Sequence, residues 1–296
     1  MENKTLNFVF PAPFFNYTKI SEYKSYLINI PTQRKIKDTE KEEQIPCLFK
    51  KNEKSSNILI IFHCNGADMF GIFNSISHFS EEYNINILIP EYPGYSNYEA
   101  PKSSEICLEN SLIIYDFIIK NIPNITEKNI YVLGRSLGTG PAIYLSSQRK
   151  LAGTFLISPY TTFAAVGQKF HNEEETKILL THFRSIDYIE KVNNPLLIIH
   201  GEVDTLINPR EAKILYDKCN QNIQKELKLI EGMNHNFGFS QLKFKIIPLI
   251  INFVRQYCPL IDHLEENDKN KIIIDFNKEL YEFWEEIKSG SESSKD

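Results

Sequence analysis

The stretch NIYVLGRSLGTGPAIYLSSQ, residues 129–148, decides how this chain folds. It begins as an apolar run of strand length, ends with the spacing of a helix, and turns between them at GRSLG, residues 134–138. Glycines at 134 and 138 let a chain reverse tightly and let strand and helix approach closely. Ser136 in the middle reads either as a nucleophile held on a sharp turn or as a small residue at a strand–helix junction. A G-x-S-x-G match arises by chance in about one chain in ten of this length. The flanking elements have to choose.

Working outward, apolar strand-length runs alternate with helical spacing. EYKSYLINI (22–30) and IPCLF (45–49) read as a half-exposed pair of strands joined by a charged hairpin loop at 33–44. NILIIF (57–62) is continuous and apolar, as in a strand buried on both faces. A helix is expected at 69–79, a strand at 85–92, a helix at 106–120 and the strand, turn and helix of 129–148. A strand at 153–158, a short cap at about 159–194 with one helix at 173–183, and a strand at 195–201 follow. A helix at 209–219, a strand at 226–232 and a last core helix at 242–257 complete the domain, residues 1–258. The alternation predicts a three-layer α/β fold, a mostly parallel sheet preceded by an antiparallel hairpin.

In such sheets ligands bind beyond the carboxyl ends of the strands. His63-Cys64-Asn65-Gly66 follows the first buried strand, the GRSLG turn with Ser136 follows 129–133, Gly201-Glu202-Val203-Asp204 follows 195–200, and His235 follows the last strand. Serine, acid and histidine therefore emerge at one edge, in the chain order expected of a nucleophile elbow with its partners. A serine hydroxyl needs a neutral imidazole to take its proton, and the imidazole needs a carboxylate to fix its tautomer. Asp187 and Asp217 are rivals for the acid, but only Asp204 directly follows a strand. The backbone N–H groups of Leu137 and Asn65 are the expected oxyanion donors, because a helix starting near Ser136 aims its amides there. His63 and His200 read as structural, Asp68 as the cap of the following helix. No His/Cys/Asp spacing recurs on one element, so neither a metal nor a cofactor is expected.

The segments FHCNGAD (62–68), EYPGYSNYEAP (91–101), LGRSLGTGPA (133–142), LISPYTTF (156–163), IDYIEKVNNPLLIIHGEVDTLINP (186–209) and EGMNHN (231–236) resemble one branch of the α/β-hydrolase superfamily. That branch is the α/β-hydrolase domain-containing protein 17-like depalmitoylases, also described as serine-aminopeptidase-like. The resemblance runs from about residue 8 to residue 257. It implies an α/β-hydrolase fold and a serine hydrolase that cleaves acyl thioesters or esters through an acyl-enzyme. The palmitoyl-protein thioesterase activity belongs to this implication, with general carboxylesterase or lysophospholipase as the alternative within the enzyme class. A catalytically weak binding or scaffold protein is the alternative outside it. The short cap is expected to leave Ser136 accessible from a broad surface, with Phe163, Phe170 and Phe183 lining an acyl groove.

Composition narrows the partners. Of the 296 residues 42% are hydrophobic and 24% charged, and the net charge is −5, so a basic surface for nucleic acid is not expected. An acylated protein or a lipid or ester substrate is the expected partner, with peripheral membrane contact left open. Five scattered cysteines form no C-x-x-C pair, in keeping with a reducing compartment. The longest apolar run, IIPLIINF (246–253), falls short of a membrane span. With Glu2 in place of a myristoylation glycine and no prenylation box in SSKD, the expected location is the cytoplasm. KIIIDFNKELYEFWEEIK (271–288) has helical spacing and holds the only tryptophan; it predicts a helical extension before a disordered tail within 259–296.

Overall fold

The computed structural model describes residues 7–13, 17–36, 40–167 and 172–258. Residues 259–296, with the expected terminal helix, and Phe170 lie outside them. Eight strands form one sheet in the order β1-β2-β4-β3-β5-β6-β7-β8. They are β1 (Leu27–Lys35), β2 (Glu42–Lys50), β3 (Ile58–Phe62), β4 (Asn86–Pro90), β5 (Ile130–Arg135), β6 (Gly153–Ile157), β7 (Leu196–Gly201) and β8 (Lys225–Ile230). β1 and β2 pair antiparallel, β2 joins β4 antiparallel, and every pairing from β4 to β8 is parallel.

The strands are apolar on both sides because both faces are covered. On one face Ile60, Val132, Leu156 and Ile198 meet α2 (Ser104–Asn121), α3 (Thr139–Gln148) and α5 (Arg210–Lys218). On the other, Ile61 packs with α1 (Met69–Ile76), while Phe155 and Leu197 pack with α6 (Ile247–Tyr257). The period-2 alternation thus splits each buried strand between two cores.

Some boundaries differ from the sequence expectation, for local reasons. Tyr17–Tyr23 forms 3-10 turns, and β1 starts only at Leu27, extending through residues expected in the loop. The expected helix at 69–79 breaks at Ser77 and resumes as one turn, Phe79–Glu82. The last helix opens as a wide π turn, Leu242–Ile246; Pro248, without an N–H, cannot close a regular first turn. The cap helix is only α4 (Glu173–Leu179), started by a reciprocal capping box between Asn172 and Glu175.

Between β3 and β5 the chain reverses its direction across the sheet: β4 lies on one side of β3 and β5 on the other. A crevice opens at such a switch point, beyond the carboxyl ends of the strands. Phe62 sits opposite Gly134, and Gly201 opposite Ile230, so the loops after β3, β5, β7 and β8 meet at one edge.

Candidate active site

Ser136 is the first residue after β5 and opens the 3-10 turn Ser136–Gly138 that leads into α3. Its φ of +52° is left-handed, a strained backbone for a serine. The turn is tolerated because its neighbours are glycines. A Cβ on Gly138 would stand 2.0 Å from the Phe62 carbonyl oxygen and 2.8 Å from that of His63. A Cβ on Gly134 would stand 2.4 Å from the Gly138 oxygen. Only a residue without a side chain lets the elbow lie directly against the end of β3.

The three predicted side chains meet there. The Ser136 hydroxyl donates to His235 Nε2 at 3.0 Å, and His235 Nδ1–H donates to Asp204 Oδ2 at 2.8 Å. The tautomer follows from the acceptor, since a carboxylate can only accept. Asp204 Oδ1 in turn accepts the N–H groups of Leu206 and Ile207, each at 2.9 Å. His200 Nε2 lies 3.3 Å from Asp204 Oδ2 and 3.0 Å from the Ile207 carbonyl, so it too carries a proton toward the carboxylate. Burial alone would raise the Asp204 carboxyl. The bonds from His200, His235 and the Ile207 amide outweigh it and hold the group well below the usual carboxylate range. The loops are locked by backbone contact as well: Val203 N–H donates to the Met233 carbonyl. The rival acids are elsewhere, Asp187 pairing with Arg184 and Asp217 lying on α5.

The loop after β3 is held by a second buried cluster around His63, which the sequence reads as structural; its acidic partner, Glu91, was not anticipated. His63 Nδ1 donates to the Cys64 carbonyl at 3.0 Å, and Nε2 faces Glu91 Oε1 at 3.0 Å. Glu91 also accepts the N–H groups of Tyr92 (2.9 Å) and Met69 (3.2 Å) and the Ser96 hydroxyl (2.6 Å). Ser96 occupies a left-handed position, φ +44°, and its bond to Glu91 offsets the cost of a side chain there. The available signal was Glu91 itself, an acid directly after an apolar strand. Tyr92 and Tyr95 donate to the carbonyls of His63 (2.7 Å) and Asn65 (2.9 Å). Both anchor the loop through its carbonyls rather than its amides. The Gly138 contact places this loop against the elbow that bears Leu137, the two elements expected to supply the oxyanion donors.

The cap corrects two expectations. Ser136 is only 3% exposed, not open to a broad surface. Residues of the cap segment have packed down as core: Tyr160, Phe163, Phe183 and Ile189 are all buried, and the Tyr160 hydroxyl donates to the Leu137 carbonyl at 3.0 Å. Phe163 and Phe183 therefore do not line an open acyl groove. Their rings meet at a tilt, with centroids 6.1 Å apart, and contact Phe8 and Phe10 of the N-terminal segment, because a short excursion can bury its aromatics only against the domain. Among the described residues no group of three or more His, Cys, Asp or Glu side chains is placed to hold a metal ion. Likewise, among them, no helix is long and apolar enough to cross a membrane.

No protein-family model matches the chain. It is 29% identical over 199 residues to alpha/beta hydrolase domain-containing protein 17C of Xenopus tropicalis, a match covering 67% of this chain and 62% of that protein. To the human protein 17B it is 27% identical over 199 residues, covering 67% of each. The chain thus spans about six-tenths of the length of the 17C relatives. Among solved structures, the esterase Pf2001 of Pyrococcus furiosus superposes with a TM-score of 0.62 at 17% identity, over 84% of this chain and 97% of that one. With the strand order above, these likenesses give the chain the α/β-hydrolase fold.

Proposed function

We propose that the protein is a serine hydrolase that cleaves acyl thioesters or esters through an acyl-enzyme on Ser136. The observation that carries the reading is the continuous relay Ser136–His235–Asp204, with contacts of 3.0 and 2.8 Å. Ser136 Oγ attacks the acyl carbonyl while its proton passes to His235 Nε2. The imidazolium so formed is stabilised by Asp204, which its four partners keep ionised. The Leu137 and Asn65 amides face the developing oxyanion. The tetrahedral intermediate collapses, the C–S or C–O bond breaks, and His235 returns the proton to the departing thiol or alcohol. Water, deprotonated by the same imidazole, then attacks the acyl-serine and frees the acid.

Likeness to the domain-containing 17 proteins favours a protein-bound palmitoyl thioester as substrate, and likeness to esterases favours simple esters as surrogate substrates. A fluorophosphonate probe is expected to label the wild-type protein and not Ser136→Ala. Labelling of both, or of neither, overturns the nucleophile. On a panel of S-acylated peptides and esters, a strict preference for acetyl over longer chains overturns the long-acyl reading.

A further inference from the structure

A cavity of about 480 Å³ lies on the sheet face away from α2, α3 and α5, between α1 and α6. Sites that bury a small organic ligand run from ~300 to ~1,000 Å³. Strand side chains alternate between the faces, so Leu59 and Ile61 of β3 and Leu133 and Arg135 of β5 share the cavity floor. Ile72 and Ile76 of α1 line one side, and Ile251 and Val254 of α6 the other. Leu59 and Leu133 lie at the edge of both cores and remain half-buried in the middle of the sheet, an apolar surface that a ligand could cover. The lining follows β3, Ile58–Phe62, and overruns both its ends, from Asn57 to Cys64. At ~3.3 Å per residue this is about 20 Å of trough. With C–C bonds of about 1.5 Å in a zigzag, an extended alkyl chain of roughly 16 carbons has the same length.

The two ends differ in charge. At the carboxyl end of β5 the Arg135 guanidinium lies over the Phe237 ring, 4.1 Å from its centre, and Nη2 donates to the His235 carbonyl at 3.3 Å. The Arg135 Nε is buried and has no acceptor, and no carboxylate pairs with the guanidinium among the described residues. His63 at the same end is committed to the Cys64 carbonyl and Glu91. A buried donor without an acceptor carries its desolvation cost unrelieved. At the other end Glu82, just ahead of β4, is engaged with Lys243 at 3.6 Å and with the Tyr83 hydroxyl at 2.9 Å. Arg255, near the carboxyl end of α6, is exposed and so already hydrated. An anionic head group therefore gains most at Arg135, where it supplies both the missing acceptor and a counter-charge away from water.

We infer that the cavity binds a long-chain fatty acid, its carboxylate on Arg135 and its alkyl chain along Leu59 and Leu133 toward the amino end of β3. Neither Ser136 nor His235 lines the cavity, so this site lies behind the catalytic edge, and it stands independently of the hydrolase reading. Equilibrium dialysis of the full chain against tritiated palmitate tests it. Saturable binding of one palmitate per chain is expected, with acetate unable to compete and hexadecanol, the same tail without the charge, bound at least tenfold more weakly. Arg135→Gln is expected to weaken palmitate about 10–100-fold and to leave hexadecanol unchanged, a split that a merely structural role of Arg135 would not produce. Ile72→Trp and Ile251→Trp, which fill the trough from opposite helices, are expected to weaken both ligands at least tenfold. Circular dichroism confirms that each variant remains folded. Absence of saturable palmitate binding by the wild type overturns the inference. Hexadecanol bound as tightly as palmitate, or an equal loss of both in Arg135→Gln, overturns the carboxylate anchor. Undiminished palmitate binding by a folded tryptophan variant places the chain elsewhere and overturns the site.

Discussion

Gly138→Ala tests whether the elbow and the loop after β3 work as one unit. Gly138 has an ordinary helical φ of −64°, so alanine brings no backbone strain and acts by steric contact alone. Its Cβ would stand 2.0 Å from the Phe62 carbonyl oxygen, where ordinary contact begins at 3.4 Å. The shortfall is 1.4 Å, the difference of those two distances, and the obstacle is sheet backbone rather than a side chain that can swing away. The elbow and the 63–66 loop must therefore part. Overpacking of this kind costs about 1–3 kcal/mol of stability. A displacement of roughly 1 Å in a catalytic constellation costs about 10²-fold in rate, or about 2.7 kcal/mol of transition-state stabilisation. We expect kcat on p-nitrophenyl esters to fall about 100-fold in the fraction that remains folded, with a smaller change in KM. Gly66→Ala is the internal control, since a Cβ there meets nothing within 4 Å; its melting temperature and kcat should match wild type. Wild-type turnover by Gly138→Ala, or an equal loss in Gly66→Ala, would refute the steric argument.

Three further outcomes follow from the site. Ser136→Ala is expected to lower turnover by about 10⁴–10⁶-fold while leaving the melting temperature within a few degrees of wild type; residual turnover within tenfold of wild type is incompatible with the acyl-enzyme. Because the Asp204 carboxyl is held low in the folded state, its ionisation stabilises the fold above the unfolded carboxylate range, and that contribution is lost as pH falls through the folded value. Denaturant titrations should thus show wild type and Asp204→Asn converging as the solution is acidified, and a constant gap down to strong acid would contradict the linkage. Glu91→Ala leaves the His63 ring, two backbone N–H groups and the Ser96 hydroxyl without their buried acceptor. A destabilisation of about 3–5 kcal/mol is expected from urea unfolding, and a loss below 1 kcal/mol would mean that Glu91 does not organise the loop.

The alternation of apolar runs with helical spacing was enough for the order of strands and helices, because each buried strand must be apolar on both sides and each helix on one. The three catalytic candidates were legible for the same reason: each lies in the loop that follows a strand, and parallel strands deliver their carboxyl ends to one edge. Other features depend on contacts that no local pattern encodes. The Glu91 cluster joins residues from the loop after β3, α1 and the loop after β4, and His200, which the sequence reads as structural, proves to bond Asp204, a partner that no local pattern names. The cap looked like an open excursion in one dimension, yet Tyr160, Phe163 and Phe183 are buried, since a short connection leaves its aromatics nowhere to go but the domain beneath. The sequence by itself determined which residues could meet at the sheet edge, through periodicity and strand ends. Only the tertiary structure decided how closely they meet, because the 2.0 Å clearance at Gly138, the burial of Ser136 and the gap between α1 and α6 are properties of packing between elements far apart in the chain.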